Sequence, residues 1–250
     1  MTGPTVTAAV LIIGNEILSG RTQDTNLNYI ATTLGSWGIS VRECRVVADI
    51  EAEIVTAVNE LRGRYRYLFT TGGIGPTHDD ITAVCVARAF DRPVVEHPEI
   101  AAVIRRREAP EPIMRNRLLM ARVPDGAGLI DNPTGGPQGF FIENVYVMAG
   151  IPRVMQAMLG SLEGKLETGA VVRSRSVTAY LGESQVAEAL GRIQDAYPDL
   201  DLGSYPFLRD DRYGTTLVIR GTSTALLDEA LGAVEAMIRA AGAEPQDQQR

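Results

Sequence analysis

Apolar and polar positions along this chain follow two periods in turn. Val6 to Ile13 is a near-continuous apolar run, the pattern of a strand buried on both faces. From Asp24 to Trp37, Leu27, Ile30, Ala31 and Leu34 recur at helical spacing. Ser40 to Val47 alternates as a second strand, and Asp49 stands as a helix N-cap with Ile54, Val58 and Leu61 behind it. Tyr65 to Thr70 reads as a third strand. Asp80 to Phe90 reads as a helix carrying Ile81, Val84, Cys85 and Ala89 on one side. This alternation predicts an α/β fold, a mostly parallel sheet with helices on both faces. Ligands of such sheets bind outside the carboxyl ends of the strands. The loops Gly14 to Asn26, Val47 to Ile54 and Thr70 to Asp80 are therefore expected to converge.

Further on, Glu96 to Glu108 and Pro112 to Ala121 read as helices. Asn132 to Gly139 is a dense turn region, Phe140 to Ile142 and Val145 to Met148 form a hairpin pattern, and Pro152 opens a helix through Leu166. The first domain is expected over residues 1–166. Residues 167–243 read as a small β-α-β-β-α domain: strand Val171 to Tyr180, helix Glu183 to Tyr197, strands Leu200 to Pro206 and Tyr213 to Arg220, helix Thr222 to Ala241. Residues 244–250 are polar and expected to be disordered.

Candidate chemistry concentrates between the third strand and its helix, in Thr70-Thr71-Gly72-Gly73-Ile74-Gly75-Pro76-Thr77-His78-Asp79-Asp80-Ile81-Thr82. Gly72, Gly73 and Gly75 let the backbone approach a ligand closely and turn its N–H groups toward an anion. The helix N-terminus adds unpaired donors and a positive dipole end. Asp79 and Asp80 stand beside this cradle, and carboxylates next to bound phosphate need a cation between them, so a divalent metal (Mg, Mn or Co) is expected. A plain chain reversal, with Thr77 or Asp79 capping the helix, accounts for the same residues. No Gly-Lys-Ser/Thr follows, so this is not a Walker loop, and the spacing is not that of a G-x-G-x-x-G dinucleotide turn.

The 250 residues are 45% hydrophobic and 22% charged, enough for one large domain and a small one. The net charge of −7 argues against nucleic acid as a partner. Arginine supplies almost all the positive charge, since Lys165 is the only lysine. Cys44 and Cys85 suggest neither a disulfide framework nor a zinc site and are expected to be buried thiols. No apolar run reaches membrane-spanning length, and no signal peptide is read at the start, so no membrane association and a cytoplasmic location are expected.

These motifs resemble the amino-terminal part of the competence/damage-inducible protein A (CinA) family, which carries a molybdopterin-binding, Mog-like domain. The matching blocks are Gly14 to Gly20, Asp24-Thr25-Asn26, Val46 to Asp49, Thr71 to Thr82, Asn132-Pro133 and Gly150-Ile151-Pro152, across roughly residues 6 to 166. The second unit is similar to the small KH-like domain that follows in these proteins. The carboxy-terminal amidohydrolase domain of longer members is not read here, and deamidase activity is not expected. The resemblance implies a three-layer α/β/α fold and a small phosphorylated ligand, either a pterin phosphate such as molybdopterin or a nucleotide diphosphate. It implies hydrolysis of an ADP-ribose-like pyrophosphate, with pterin binding alone or molybdopterin adenylyl transfer as the alternatives. A homo-oligomer is also implied. Val84 stands where the family often has Glu, and Met148-Ala149-Gly150 replaces the usual Leu-Pro-Gly.

Residue roles follow from the motif match. Glu16 is positioned to reach a ligand hydroxyl or metal-bound water. Asp49 and Asp80 would hold the metal across a diphosphate, and Asp79 would be a second ligand or the general base. Gly14, Gly72, Gly73, Gly75 and Thr77 would line the phosphate. Asn26 would bond a ring or ribose, and Asn132 with Gly135 would close the pocket. Plain capping, turn geometry or solvated charge accounts for the same residues. His78, Arg115 and Arg117 have only weak claims to a phosphate contact. The second unit lacks a Gly-x-x-Gly, which argues against RNA binding there.

Overall fold

The structure, a computed structural model, describes residues 5–247. The described residues divide into two compact units that meet in sequence at Gly169 and Ala170.

In the first unit, β1 (Val6–Ile13) leads into a short helix α1 (Asn15–Leu18) and then α2 (Asn26–Ser36). After these come β2 (Ile39–Val47), α3 (Glu51–Arg64), β3 (Tyr67–Thr71) and α4 (Thr82–Ala89). A smaller region follows: β4 (Val94–Glu96), α5 (Pro98–Arg105), α6 (Glu111–Arg117), a 3₁₀ turn over Leu118–Ala121 and β5 (Arg122–Pro124). The unit closes with β6 (Gly128–Ile130), β7 (Gly139–Ile142), β8 (Val145–Met148) and α7 (Pro152–Gly160).

Six strands form one sheet in the order β2-β1-β3-β8-β7-β6. Strands β2, β1, β3 and β8 run parallel, while β7 and β6 are added antiparallel at one side. The run from Val6 to Ile13 is apolar throughout because β1 is flanked by β2 and β3 and covered on both faces. Ala9, Leu11 and Ile13 pack against α3 and α4, and Ala8, Val10 and Ile12 against α2 and α7. The three-layer α/β/α arrangement expected from the pattern is therefore present. Edge strand β2 is half-exposed along most of its length, as its weaker alternation implies.

Several elements differ in their bounds from the sequence pattern. The helix read from Glu96 to Glu108 begins only at Pro98, because Val94–Glu96 pairs with Arg122–Pro124 as a hairpin-like ladder. The helix read from Pro152 to Leu166 ends at Gly160, whose missing Cβ weakens continuation. Asp49 does not cap α3; Ile50 occupies that position without a side-chain bond. Cys85 is buried as expected, but Cys44 is only half-buried. Burial pushes both thiols up to about 11, with Asp24 adding to the effect at Cys44 and Asp49 at Cys85.

The second unit follows the β-α-β-β-α order: β9 (Arg173–Ala179), α8 (Glu183–Ala196), β10 (Asp201–Arg209), β11 (Arg212–Gly221) and α9 (Thr224–Ala240). Its own core joins Val177, Leu217 and Ile219 to Val186 of α8 and Leu227, Val234 and Ile238 of α9. The segment expected to be a disordered tail departs from that reading. Gln246–Asp247 forms β12, antiparallel to β9, because β9 is otherwise an edge with free ladder groups. Residues 248–250 lie outside the described residues.

Candidate functional site

The carboxyl ends of β1, β2, β3 and β8 lie side by side, and the loops leaving them meet as the parallel topology requires. At β1 the chain turns at Gly14, whose N–H donates to the Val47 carbonyl at 3.2 Å. The next residue, Asn15, donates its N–H to Asp49 Oδ2 at 2.8 Å. Asp49 therefore ties the β2 loop to the first turn of α1, whose N–H groups have no partner within the helix.

The glycine loop is made largely of backbone. Gly72 has φ +104°, and a side chain there would run into the Ile13 carbonyl oxygen, so only glycine fits. Its N–H donates to the Met148 carbonyl at 3.3 Å, and its own carbonyl accepts from Thr82 Oγ1 at 2.9 Å. These bonds bring the ends of β1, β3 and β8 and the start of α4 together. Beyond this point the loop folds around Asp80. Gly75 N–H donates to Asp80 Oδ1 at 2.7 Å, and Thr77 N–H donates to Asp80 Oδ2 at 2.8 Å. Thr77 Oγ1 lies 2.5 Å from Asp80 Oδ2 and 2.6 Å from Asp79 Oδ1, and its single proton serves one of them at a time. The Thr77 hydroxyl, followed by Asp79's own backbone, holds the Asp79 carboxyl below its usual range. Neither Thr77 nor Asp79 caps α4, whose N-cap position is Ile81 with no side-chain bond. His78 is almost fully exposed beside Asp79.

Both oxygens of Asp80 already accept from loop donors, and Asp49 accepts from Asn15. Among the described residues, no three His, Cys, Asp or Glu side chains form a group able to hold a metal ion. As arranged, these residues do not fit a divalent-cation site.

A cavity of about 70 Å³ opens beside Gly72, between β1, β3 and the start of α2, lined among others by Glu16, Asp24, Asn26, Thr71 and Gly150. Asn26 is only 6% exposed. Its Nδ2 donates to the Gly150 carbonyl at 2.8 Å, while its Oδ1 is buried with no protein partner. Asp24, one residue before the α2 N-cap Thr25, accepts from Leu27 N–H at 3.0 Å and Asn26 N–H at 3.3 Å. Glu16 folds its carboxylate back over Gly14, where an added Cβ would lie 2.6 Å from it. The walls thus carry acceptors on the α2 side and glycine backbone on the β3 side.

Of the residues singled out from sequence, Glu16, Asn26 and Gly72 share this cavity, and Gly14 and Asp49 adjoin it through the bonds above. Gly73, Gly75, Thr77, Asp79 and Asp80 form the neighbouring loop. Asn132 and Gly135 do not line the cavity. Asn132 Oδ1 accepts from Thr134 N–H and Oγ1 at 3.1 and 2.6 Å, and its Nδ2 donates to the Pro137 carbonyl at 2.8 Å, so the turn satisfies itself. Asp24, Thr71, Thr82 and Gly150 were missed as site residues, although all four stand inside motif blocks already noted.

Residues 9–167 match the probable molybdopterin binding domain, and residues 171–247 match the middle domain of FAD synthase. A solved structure described as the protein CinA with unknown function, from Thermoplasma acidophilum, is 32% identical with a TM-score of 0.59, over 64% of this chain and 98% of that one. The chain belongs to the CinA family. A CinA-like protein of Syntrophotalea carbinolica is 39% identical over 60% of this chain and 38% of its own length. One from Salinibacter ruber is 30% identical over 93% of this chain and 59% of its own length. This CinA-family chain therefore spans less than two thirds of those two relatives. Among the described residues, no helix is long and apolar enough to cross a membrane.

Proposed function

We propose that the first unit binds a phosphorylated, amino-bearing heteroaromatic compound, of which a pterin phosphate of the molybdopterin type is the leading candidate. The observation that carries this reading is Asn26. A buried amide oxygen without a partner is costly, and a ligand N–H or O–H would satisfy it. Glu16 and Asn26 together offer acceptors to the amino edge of a pterin or purine ring. The phosphate would lie toward the Gly72–Thr77 backbone and the start of α4, exchanging with or flanking the Asp80 carboxylate. The match of residues 9–167 to a probable molybdopterin binding domain supports the ligand class. Titrating the protein with molybdopterin, a simple pterin, AMP and ADP-ribose by calorimetry tests the reading. Saturable binding of the phosphorylated compounds, weakened in Asn26→Ala, is expected; no binding to folded protein would overturn it.

Hydrolysis of a nucleotide diphosphate is a second reading, favoured by Glu16. Its carboxylate lines the cavity and makes no hydrogen bond among the described residues. It would take a proton from a water attacking phosphorus while the bridging P–O bond breaks and its electrons leave with the second phosphate. This step uses no metal, in keeping with the donor set present. Release of AMP from ADP-ribose, lost in Glu16→Gln while binding persists, would establish it.

A further inference from the structure

The sheet of the second unit has one face packed under α8 and α9 and one face turned away from them. Register and alternation sort the side chains. Val177, Ala179, Leu217 and Ile219 point into the helix-covered core. The opposite face carries Tyr205, Phe207 and Arg209 on β10, then Arg212, Gly214, Thr216 and Arg220 on β11, and Thr178 and Tyr180 at the β9 end.

Three aromatic rings stand on this face, Tyr205 exposed and Tyr180 and Phe207 half-buried beside the buried Thr178 and Thr216, and each is paired with an arginine. The Arg212 guanidinium lies 3.9 Å from the Tyr180 ring centroid, Arg209 lies 4.8 Å from Phe207, and Arg220 lies 5.8 Å from Tyr205 and donates to its hydroxyl at 2.9 Å. Tyr180 and Phe207 meet edge to face at 5.7 Å. They do so directly across Gly214, where any Cβ would collide with the Phe207 ring, so the glycine makes room for the aromatic pair. Tyr205 is 46% exposed. Positions two apart on a strand stand ~7 Å apart on the same face, which leaves room for a separate flat ring over each.

Charge on this face also differs from that of its unit. Residues 170–250 contain eight arginines, no lysine and twelve acids. Three of those arginines stand on the open face, where Asp201 is the single acid within the ladder and lies 3.9 Å from Arg220. Asp210 and Asp211 form the hairpin turn beyond the last pair, Arg209 and Arg212. Aromatic rings and guanidinium planes interleaved on an open sheet suit unstacked bases, with the arginines available to the phosphates between them.

We propose that this face binds single-stranded nucleic acid. Bulk charge argues against such a partner, but stacking depends on local rings and phosphate contacts on local arginines, and both are concentrated here. The proposal is independent of the pocket in the first unit.

The test is fluorescence anisotropy of the full chain with labelled oligo(U) and oligo(dT) of about ten nucleotides, chosen to cover a typical single-strand site. Binding is expected to weaken as salt rises, with a log–log slope near −2 for about three phosphate contacts. Tyr205→Ala should weaken binding about tenfold, as loss of one stacked base would. Arg212→Ala should weaken it less and reduce the salt slope by about 0.7. Both variants should keep the circular dichroism and melting behaviour of the parent, because Tyr205 and Arg212 are exposed. Absence of binding by the folded parent overturns the proposal, as does equal binding of a duplex or binding unchanged in Tyr205→Ala. So does a parent that binds no oligonucleotide but self-associates through this face, with Tyr205→Ala reducing the self-association.

Discussion

Two glycine-rich segments of the first unit invite comparison, Gly72 to Thr82 and Asn132 to Gly139. Both mix glycine, proline, threonine and a short acidic or amide side chain, and both carry glycines with positive φ. The first lies at the carboxyl edge of the parallel sheet, where its backbone is pressed against Ile13, Met148 and Thr82. The second is a closed turn. Asn132 satisfies its groups within five residues, and an added Cβ at Gly135 would meet nothing within 4 Å. Glycine content marks both as turns. Contact with neighbouring strand ends makes only one of them part of a site.

The sharpest way to break this comparison is a glycine exchange. Gly72→Ala is expected to cost about 3 kcal/mol, from left-handed strain plus collision with Ile13. Gly135→Ala should cost only about 1 kcal/mol, since conformation alone is disturbed. Urea denaturation of the two variants measures both, and equal losses would show that the close approach at Gly72 contributes nothing.

A smaller contrast separates the two organising side chains. Asp80→Ala leaves the N–H groups of Gly75 and Thr77 without their charged acceptor and is expected to cost about 2 kcal/mol. Asn132→Ala, in a neutral turn, should cost about 1 kcal/mol. If Asp80 blocks the phosphate position, Asp80→Asn should bind inorganic phosphate or a phosphorylated ligand more tightly than the parent. If Asp80 only shapes the loop, binding should fall.

Asn26→Ala is expected to weaken the pterin-phosphate ligand about tenfold, the value of one hydrogen bond to a buried acceptor, while Asn132→Ala leaves affinity unchanged. Calorimetry distinguishes them, and an affinity loss at Asn132 would bring the second turn back into the site.

The smallest effect concerns pH. Asp79 titrates below its usual range because the Thr77 hydroxyl bonds it. A depressed folded value means that its contribution to stability is present above the unfolded pKa and is lost as pH falls through the folded one. Thr77→Val should move the Asp79 carbon resonance titration upward, and no movement would deny the bond.

Long periodic elements were legible from the chain alone. The apolar run Val6 to Ile13 admits little besides a doubly covered strand, and the strand–helix alternation up to Phe90 leaves few topologies. The gathering of Glu16, Asp49 and the glycine loop followed from that topology. Less legible were short elements such as β4 and β5, which exist because each pairs with the other across intervening helices. Asp49 looked like a cap because its nearest helix follows directly, but its carboxylate accepts from the N–H of Asn15 instead.

Composition, period and turn chemistry therefore determined the α/β/α class, the division into a large and a small unit, and the edge at which a ligand would be met. Those are properties of local propensity and burial, and they read residue by residue. Tertiary structure alone decided that Asp80 folds its carboxylate into the glycine loop, that Asn26 is left with a buried unpaired oxygen, and that Tyr180 and Phe207 meet over Gly214. The last two depend on groups far apart in sequence reaching hydrogen-bond or van der Waals distance, and the first on the path the loop takes between strand and helix, since Gly75 and Thr77 lie within five residues of Asp80; no linear pattern records which donors remain free once the strands have paired.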